Sequence, residues 1–241
     1  MGAQQDIYDR SYVRALFDGM CDSYDRVNFL FSFGFSNRWR RQFLKHIPQH
    51  GGQIKVIDLL TGMGETWKYV KERFPGAELS ALDFSTGMLK HAAMKNTRHY
   101  GGAVNLLEDD IINCSLPDAH YDAVVCAFGL KTFNREQLQL LAHNVNRILK
   151  PGGHFSFIEV SIPRNNLLRL FYKIHLKHIV PLAGKMLRGS SQHYNMLWEY
   201  ANIYSGSEEV KSIFECVGLH VDYDRYFNGC ATGVHGQKVS G

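Results

Sequence analysis

The chain has 241 residues, of which 45% are hydrophobic and 21% charged, so it is long enough to bury one sizeable core. Its formal net charge of +4 is too small to indicate nucleic-acid binding, which usually concentrates basic residues on one recognisable element. The five cysteines are dispersed and form no C-x-x-C pair, so neither a disulfide framework nor a zinc ribbon is indicated. No apolar run reaches the roughly 18 to 20 residues that span a bilayer, and the first residues lack a signal-peptide pattern. A single domain over residues 1–241, soluble and cytoplasmic, is therefore predicted.

Residues 1–50 are predicted to form two helices, an N-terminal helical cap that leads into the first strand. Between residues 55 and 157, short apolar runs alternate with stretches of helical period. The predicted strands are KVIDLL, ELSALD, VNLLE, YDAVVCAFG and HFSFIEV. This alternation is typical of βαβ units and predicts an α/β fold, with a mainly parallel sheet covered by helices on both faces.

The runs at residues 56–60 and 124–128 are apolar at successive positions, which predicts that they form the middle of the sheet. The sequence Lys150-Pro151-Gly152-Gly153 predicts a sharp break between a helix and the next strand, because proline cannot continue the helix. Residues 161–206 are predicted to form an inserted helical lid. A closing helix at 208–217 and two final strands follow it.

A glycine turn, Thr61-Gly62-Met63-Gly64, follows the first predicted strand. In open α/β sheets, ligands lie beyond the carboxyl ends of the strands, where glycines let the backbone approach them. The turn lacks the complete G-x-G-x-x-G pattern and the P-loop lysine, so it is poorly suited to a pyrophosphate or a triphosphate. It favours a nucleoside without phosphates.

Carboxylates follow the next two predicted strands. Asp83 ends the second strand, where a carboxylate can accept hydrogen bonds from both ribose hydroxyls. Asp110 follows the third strand and can accept from an adenine amino group. The alternative is that both aspartates only cap the helices after them.

Further motifs accompany these residues over nearly the whole chain. They are Phe17-Asp18 with Tyr24-Asp25 and Asn28, Ser32-Phe33-Gly34 before Trp39-Arg40-Arg41, Met88-Leu89, Phe128-Gly129-Leu130, Leu149-Lys150-Pro151-Gly152-Gly153, and Glu159-Val160-Ser161 before Pro163. With this set the chain resembles the class I methyltransferases, specifically the ubiquinone/menaquinone C-methyltransferase family that acts on prenylated quinols.

The resemblance implies a Rossmann-like class I methyltransferase fold, S-adenosylmethionine as the cofactor, and a small aromatic or lipophilic acceptor whose pocket lies under the lid. The implied cofactor contacts are Asp58, Gly62, Met63, Gly64, Asp83, Asp110, Ile111 and Ala127, with Met88 packing near the adenine.

Two departures from the family pattern concern the acceptor and the turn. The family's Leu-Arg-Asn after Phe-Gly is here Leu130-Lys131-Thr132, and Leu60 and Thr61 stand where small residues are usual. Lysine cannot reproduce the planar fork of arginine. The sequence therefore indicates a diverged relative whose acceptor need not be a respiratory quinol.

Methyl transfer from a sulfonium chiefly requires alignment of the acceptor and exclusion of water. A phenol or enol acceptor also needs a base. The candidates are Tyr24, Lys131, His193 and Tyr194. Alternatively, Lys131 is a surface lysine, Tyr24 closes over the cofactor, and the other two are structural. Carbon methylation is favoured over oxygen methylation.

The lid is basic: no acidic residue occurs from 160 through 198, and Arg169, Lys173 and Lys177 are expected on one helical stripe. Together with Arg164, Lys185 and Arg188 they make 164–188 a basic segment. Three interpretations stay open: peripheral contact with an anionic membrane, recognition of an acidic substrate, or a solvated face over a packed lid. His175 and His178 have a spacing seen in metal ligands, but no carboxylate is near them and no metal is predicted.

The sequence predicts an active small-molecule methyltransferase. The alternative is a protein that binds S-adenosylmethionine but has lost or changed this chemistry. Methylation of RNA or protein is disfavoured because no recognition domain is appended. Whether the chain forms a homodimer is left open.

Overall fold

The computed structural model describes residues 6–21, 34–49, 52–180, 182 and 191–239; the side chains of 176, 191–195 and 197 are not among those described. Seven strands form one sheet in the order β3-β2-β1-β4-β5-β7-β6. The strands are β1 (Lys55–Leu59), β2 (Glu78–Asp83), β3 (Val104–Glu108), β4 (Tyr121–Ala127), β5 (Leu149–Val160), β6 (Leu219–Tyr226) and β7 (Ala231–Lys238). The first five run parallel, and β7 is antiparallel to both of its neighbours. The predicted α/β fold with a mainly parallel sheet is confirmed.

Helices cover this sheet. They are α1 (Arg10–Asp18), α2 (Phe35–Phe43), α3 (Trp67–Arg73), α4 (Thr86–Tyr100), α5 (Arg135–Ile148), α6 (Asn166–Ile174), α7 (Ser191–Tyr204) and α8 (Glu208–Cys216). The first two lie in the segment predicted as a cap, and α6 and α7 lie in the segment predicted as a lid. None of the helices formed by the described residues is both long and apolar enough to cross a membrane.

The two strands predicted for the middle of the sheet, β1 and β4, pair directly with each other. Both are almost fully buried because each face of the sheet carries its own apolar cluster. Ile57 and Leu59 of β1 pack on the side of α5 and α8, whereas Val56 packs against Phe43 and Trp67 on the other side. Burial on both faces explains their uninterrupted apolar sequences.

The break expected at Lys150-Pro151-Gly152-Gly153 lies inside a strand. Leu149 is already extended at the end of α5 and pairs with Tyr121 of β4. The next paired residue of β5 is His154, so the intervening residues bulge out of the ladder, with Gly152 at a φ of 74°. The prediction that the strand begins after this break was wrong, because a bulge interrupts pairing without ending a strand.

The basic stripe expected along the lid is also shorter than predicted. Helix α6 ends at Ile174, and residues 175–179 form a π-helical turn. Because a π turn holds more residues than an α turn, Lys177 and His178 leave the α-helical register of Lys173. Lys185 and Arg188 lie outside the described residues.

Candidate active site

A cavity opens at the carboxyl ends of β1, β2 and β4. Four of the residues predicted to contact a cofactor line it: Gly62, Asp83, Met88 and Ala127. They come from the turn after β1, the end of β2, the first turn of α4 and the end of β4. This is the topological switch point of the sheet, where open α/β folds bind their ligands.

Asp83 joins the glycine turn to the second strand. Its Oδ2 accepts a hydrogen bond from the Gly62 backbone N–H at 2.7 Å, and its Oδ1 accepts from the Ser85 N–H at 2.9 Å. Burial raises the pKa of Asp83, and the two backbone N–H groups oppose that rise. The N-cap of α4 is Ser85, whose hydroxyl accepts from the Met88 N–H, so the alternative of Asp83 as a helix cap is wrong.

Asp58 lies beneath the turn and does not line the cavity. Its Oδ2 accepts from the Thr61 hydroxyl at 2.6 Å, and that hydroxyl in turn accepts from Trp67 Nε1 at 2.7 Å. Burial raises the pKa of Asp58 to about 7, while the Thr61 hydrogen bond and the charge of Arg40 act in the opposite direction. Asp58 therefore stabilises the glycine turn through its hydrogen bond with Thr61.

Asp110 forms a bidentate ion pair with Arg10 of α1, with N···O distances of 2.7 and 2.8 Å. The Arg10 guanidinium lies over the rings of Phe84 and Phe133, 4.2 and 4.8 Å from their centroids. No helix follows Asp110 before β4, so Asp110 is not a helix cap either. The charge of Arg10 also opposes, more weakly, the burial that raises the pKa of Asp83.

Three other predicted contacts lie behind the cavity wall. The carbonyls of Met63 and Gly64 accept from Lys95 Nζ at 3.0 and 3.2 Å. Ile111 is fully buried in the core, and its carbonyl accepts from Asn144 Nδ2 at 2.7 Å. These residues shape the turn and the core, and they do not line the cavity.

Leu60, one of the residues that depart from the family pattern, lines the cavity. Its backbone has a φ of 54°, in the left-handed region that branched side chains rarely adopt. A Cβ built on Gly129 would lie 2.4 Å from Leu60 Cδ1, so the absence of a side chain at Gly129 makes room for the leucine. The bulk of Leu60 is thus accommodated by the missing side chain of Gly129.

Lys131 is buried rather than exposed, so the interpretation as a surface lysine is wrong. Its Nζ donates to Glu159 Oε1 at 3.0 Å and to the Phe128 carbonyl at 2.7 Å, and its backbone N–H donates to Glu159 Oε2 at 3.2 Å. The neighbouring Thr132 lines the cavity, whereas Lys131 does not.

The other candidate bases fall outside the described side chains. Tyr24 lies outside the described residues. His193 and Tyr194 belong to α7, but their side chains are not among those described.

The sequence interpretation missed the aromatic and basic lining of the cavity. Phe17, Phe84 and Phe128 contribute to its wall, together with Arg40. Arg40 is 5% exposed, and its guanidinium lies 4.7 Å from the centroid of the Phe128 ring. The motif Trp39-Arg40-Arg41 was visible, but nothing local indicated which of its side chains turns inward.

The strand order, the glycine turn after β1 and the buried aspartate at the end of β2 define a class I S-adenosylmethionine-dependent methyltransferase. The chain belongs to the ubiE/COQ5 methyltransferase family, whose model matches residues 4–238.

Curated relatives agree with this assignment, and solved structures share the fold. The chain is 31% identical to a demethylmenaquinone methyltransferase of Thermus thermophilus over 90% of this chain and 96% of the relative. It is 28% identical to one of Staphylococcus haemolyticus over 94% of this chain and 93% of the relative. A SAM-dependent methyltransferase of Aquifex aeolicus has a similar fold, with a TM-score of 0.58, 20% identity, and coverage of 83% of this chain and 89% of that one. Phosphoethanolamine N-methyltransferase 2 of Haemonchus contortus, solved with S-adenosyl-L-methionine, has a TM-score of 0.59 at 12% identity and covers 91% of this chain and 60% of its own.

Proposed function

We propose that the protein methylates a ring carbon of a small, largely apolar quinol. The observation that carries this proposal is the aromatic cavity beside Asp83, in a chain similar over nearly its whole length to demethylmenaquinone methyltransferases. Phenyl side chains favour a flat apolar ring, and a reduced quinone has the electron-rich carbon that a methyl electrophile requires.

The strand order β3-β2-β1-β4 supports one orientation of the cofactor. Asp83, at the end of β2, would accept hydrogen bonds from the ribose hydroxyls, and Met88 would pack against the adenine. Arg40 lies beside Phe128, just past β4, and would pair with the carboxylate of the methionine portion. S-adenosylmethionine supplies an electrophilic methyl group, and the buried lining excludes water from it.

Carbon methylation forms one C–C bond and breaks the S–C bond, and the ring then loses a proton to restore its aromaticity. A base takes the phenolic proton as the nucleophile forms, and this oxygen regains a proton after the ring carbon has lost its own. The neutral thioether S-adenosylhomocysteine is the leaving group. The ammonium of Lys131 is held by Glu159 and by a carbonyl, so we assign it a positioning role for the residues 128–132. Tyr24, His193 and Tyr194 stay the candidate bases.

The test uses the purified chain, S-adenosylmethionine labelled in its methyl group, and a 2-prenyl-1,4-naphthoquinol. We expect label on the ring carbon of the quinol and none on the matched oxidised quinone, because only the reduced ring is nucleophilic. Label on oxygen would contradict carbon methylation. Calorimetric binding of the cofactor without transfer to any phenolic acceptor would instead favour the alternative of a binding protein.

We also propose that α6 contacts an anionic membrane surface, from which a lipophilic acceptor would arrive. No residue of this helix is buried. Leu167, Leu170 and Phe171 are 65, 54 and 62% exposed, and the helix also carries Arg169 and Lys173. Exposed apolar and cationic side chains on one helix are the features of an interfacial helix.

Cosedimentation with vesicles tests this contact. Binding is expected with phosphatidylglycerol vesicles and not with phosphatidylcholine vesicles. The double variant Arg169→Gln/Lys173→Gln should reduce it roughly tenfold or more, since each basic residue near such a surface contributes about 1 kcal/mol. Leu170→Ser should also weaken it, whereas Met94→Ser, at an exposed apolar residue of α4, should not. A homodimer that buries α6 and binds no vesicles would contradict the proposal.

A further inference from the structure

A cluster of three metal-ligand side chains lies away from the cavity, where the antiparallel edge of the sheet meets the N-terminal segment. His46 ends the short 3₁₀ turn after α2, Asp224 lies on β6 and His235 on β7. The side chain of Ser156, the β5 partner of His235, donates to the Phe43 carbonyl, which holds this end of α2 against the sheet. None of the three clustered residues lines the cavity.

Both imidazoles converge on one carboxylate oxygen. The Nε2 atoms of His46 and His235 lie 2.8 and 3.0 Å from Asp224 Oδ2. The two rings are stacked, with centroids 3.8 Å apart and an interplanar angle of 12°. Their side chains are 26 and 19% exposed and that of Asp224 is 32% exposed, so solutes reach the group although it is mostly enclosed.

We propose that His46, Asp224 and His235 bind a divalent transition-metal ion of the zinc type. Two imidazole nitrogens and one carboxylate oxygen are ligands that zinc accepts, with water completing a tetrahedron. The three ligand atoms already lie within 4.8 Å of one another.

Loading requires the three ligand atoms, which lie within 4.8 Å of one another, to turn toward one centre. Ligand atoms about 2.0 to 2.2 Å from a tetrahedral ion are about 3.3 Å apart. The carboxylate oxygen therefore withdraws from each nitrogen by a few tenths of an ångström. The stacked rings tilt so that their nitrogens point at one centre. The Tyr226 hydroxyl lies 3.3 Å from His46 Nε2 and would give up this contact when the nitrogen binds the ion.

The bound ion would fasten the N-terminal segment to the last two strands. A ligand set that is assembled only in the folded chain converts binding free energy into stability. This role is independent of methyl transfer, so the site can be tested without an acceptor.

The experiment titrates Zn²⁺ into the full chain after removal of metals by a chelator. We expect saturable binding of one ion and a rise in the unfolding temperature. His46→Ala and His235→Ala should each weaken binding by about a hundredfold or more, since even loss of an outer-shell partner costs 10- to 100-fold. The matched control is His220→Ala, which removes an exposed histidine 4.0 Å from Asp222 on the same strand and should leave binding unchanged.

Co²⁺ gives a second readout that needs no variant. Four-coordinate Co²⁺ in the wild-type chain should show visible d–d absorption bands that Zn²⁺ displaces. Absence of saturable binding by the wild type overturns the proposal. So does one-to-one binding that persists in both correctly folded histidine variants, because the ion then lies elsewhere.

Discussion

Asp83→Asn is expected to weaken binding of S-adenosylmethionine at least roughly tenfold, because an amide replaces the charged acceptor of the ribose hydroxyls. The asparagine keeps the size of the side chain, and one oxygen remains to accept from the Gly62 or Ser85 backbone. Isothermal calorimetry measures the change. Glu78→Gln, at the exposed start of the same strand, is the control and should bind normally.

The same calorimetry distinguishes the two ends of the cofactor. Arg40→Met should weaken binding of S-adenosylmethionine but leave 5′-methylthioadenosine, which lacks the amino-acid carboxylate, almost unaffected. Asp83→Asn should weaken both ligands, since both carry the ribose. Normal affinity of Asp83→Asn for both would mean that the ribose binds elsewhere, and the orientation proposed above would be wrong.

Lys131→Met is expected to lower the free energy of unfolding by about 3 to 5 kcal/mol, because it leaves the buried Glu159 carboxylate without its counter-charge. Lys131 and Glu159 side chains are 5 and 0% exposed, so water cannot replace the lost partner. Urea denaturation followed by circular dichroism measures the loss. The double variant Lys131→Met/Glu159→Gln should recover most of it, because no buried charge remains unpaired.

An exposed ion pair provides the control for the Lys131 and Glu159 variants. Arg135 and Glu209 lie 3.0 Å apart with side chains 71 and 52% exposed, and exposed pairs contribute about 0 to 1 kcal/mol. Arg135→Met should therefore change stability little. If Lys131→Met leaves stability unchanged but abolishes methyl transfer, Lys131 acts on the acceptor, and our assignment of a positioning role is wrong.

The fold was predictable because the pattern of apolar residues along the sequence differs between buried parallel strands and amphipathic helices. The runs ELSALD and VNLLE coincide with β2 and β3, and Ser85 and Arg135 lie at the starts of their helices. Local departures from regular geometry were not predictable. The bulge in β5 and the π turn after α6 depend on how neighbouring strands and helices meet, which no short window of sequence contains.

The cofactor site was predictable where backbone position alone decides it. Gly62 follows β1, Asp83 and Ala127 end β2 and β4, and the order of the strands brings them together. Partners distant in sequence could not be inferred from a single chain. Asp110 forms an ion pair with Arg10, and Lys131 forms a buried ion pair with Glu159. His46 lies close to Asp224 and His235 only when the sheet has formed.

The position of β7 between β5 and β6 has a consequence for biosynthesis. Eight residues, Ala231–Lys238, provide the hydrogen-bonding partner for both neighbouring strands, and they leave the ribosome after both. Until then the nascent chain carries an open edge on β5, and β6 has no place in the sheet. Truncation before Ala231 would make that edge permanent, and an unpaired strand edge recruits other chains. Synthesis of β7 is therefore the step after which β5 and β6 are both paired and the chain is less prone to aggregate.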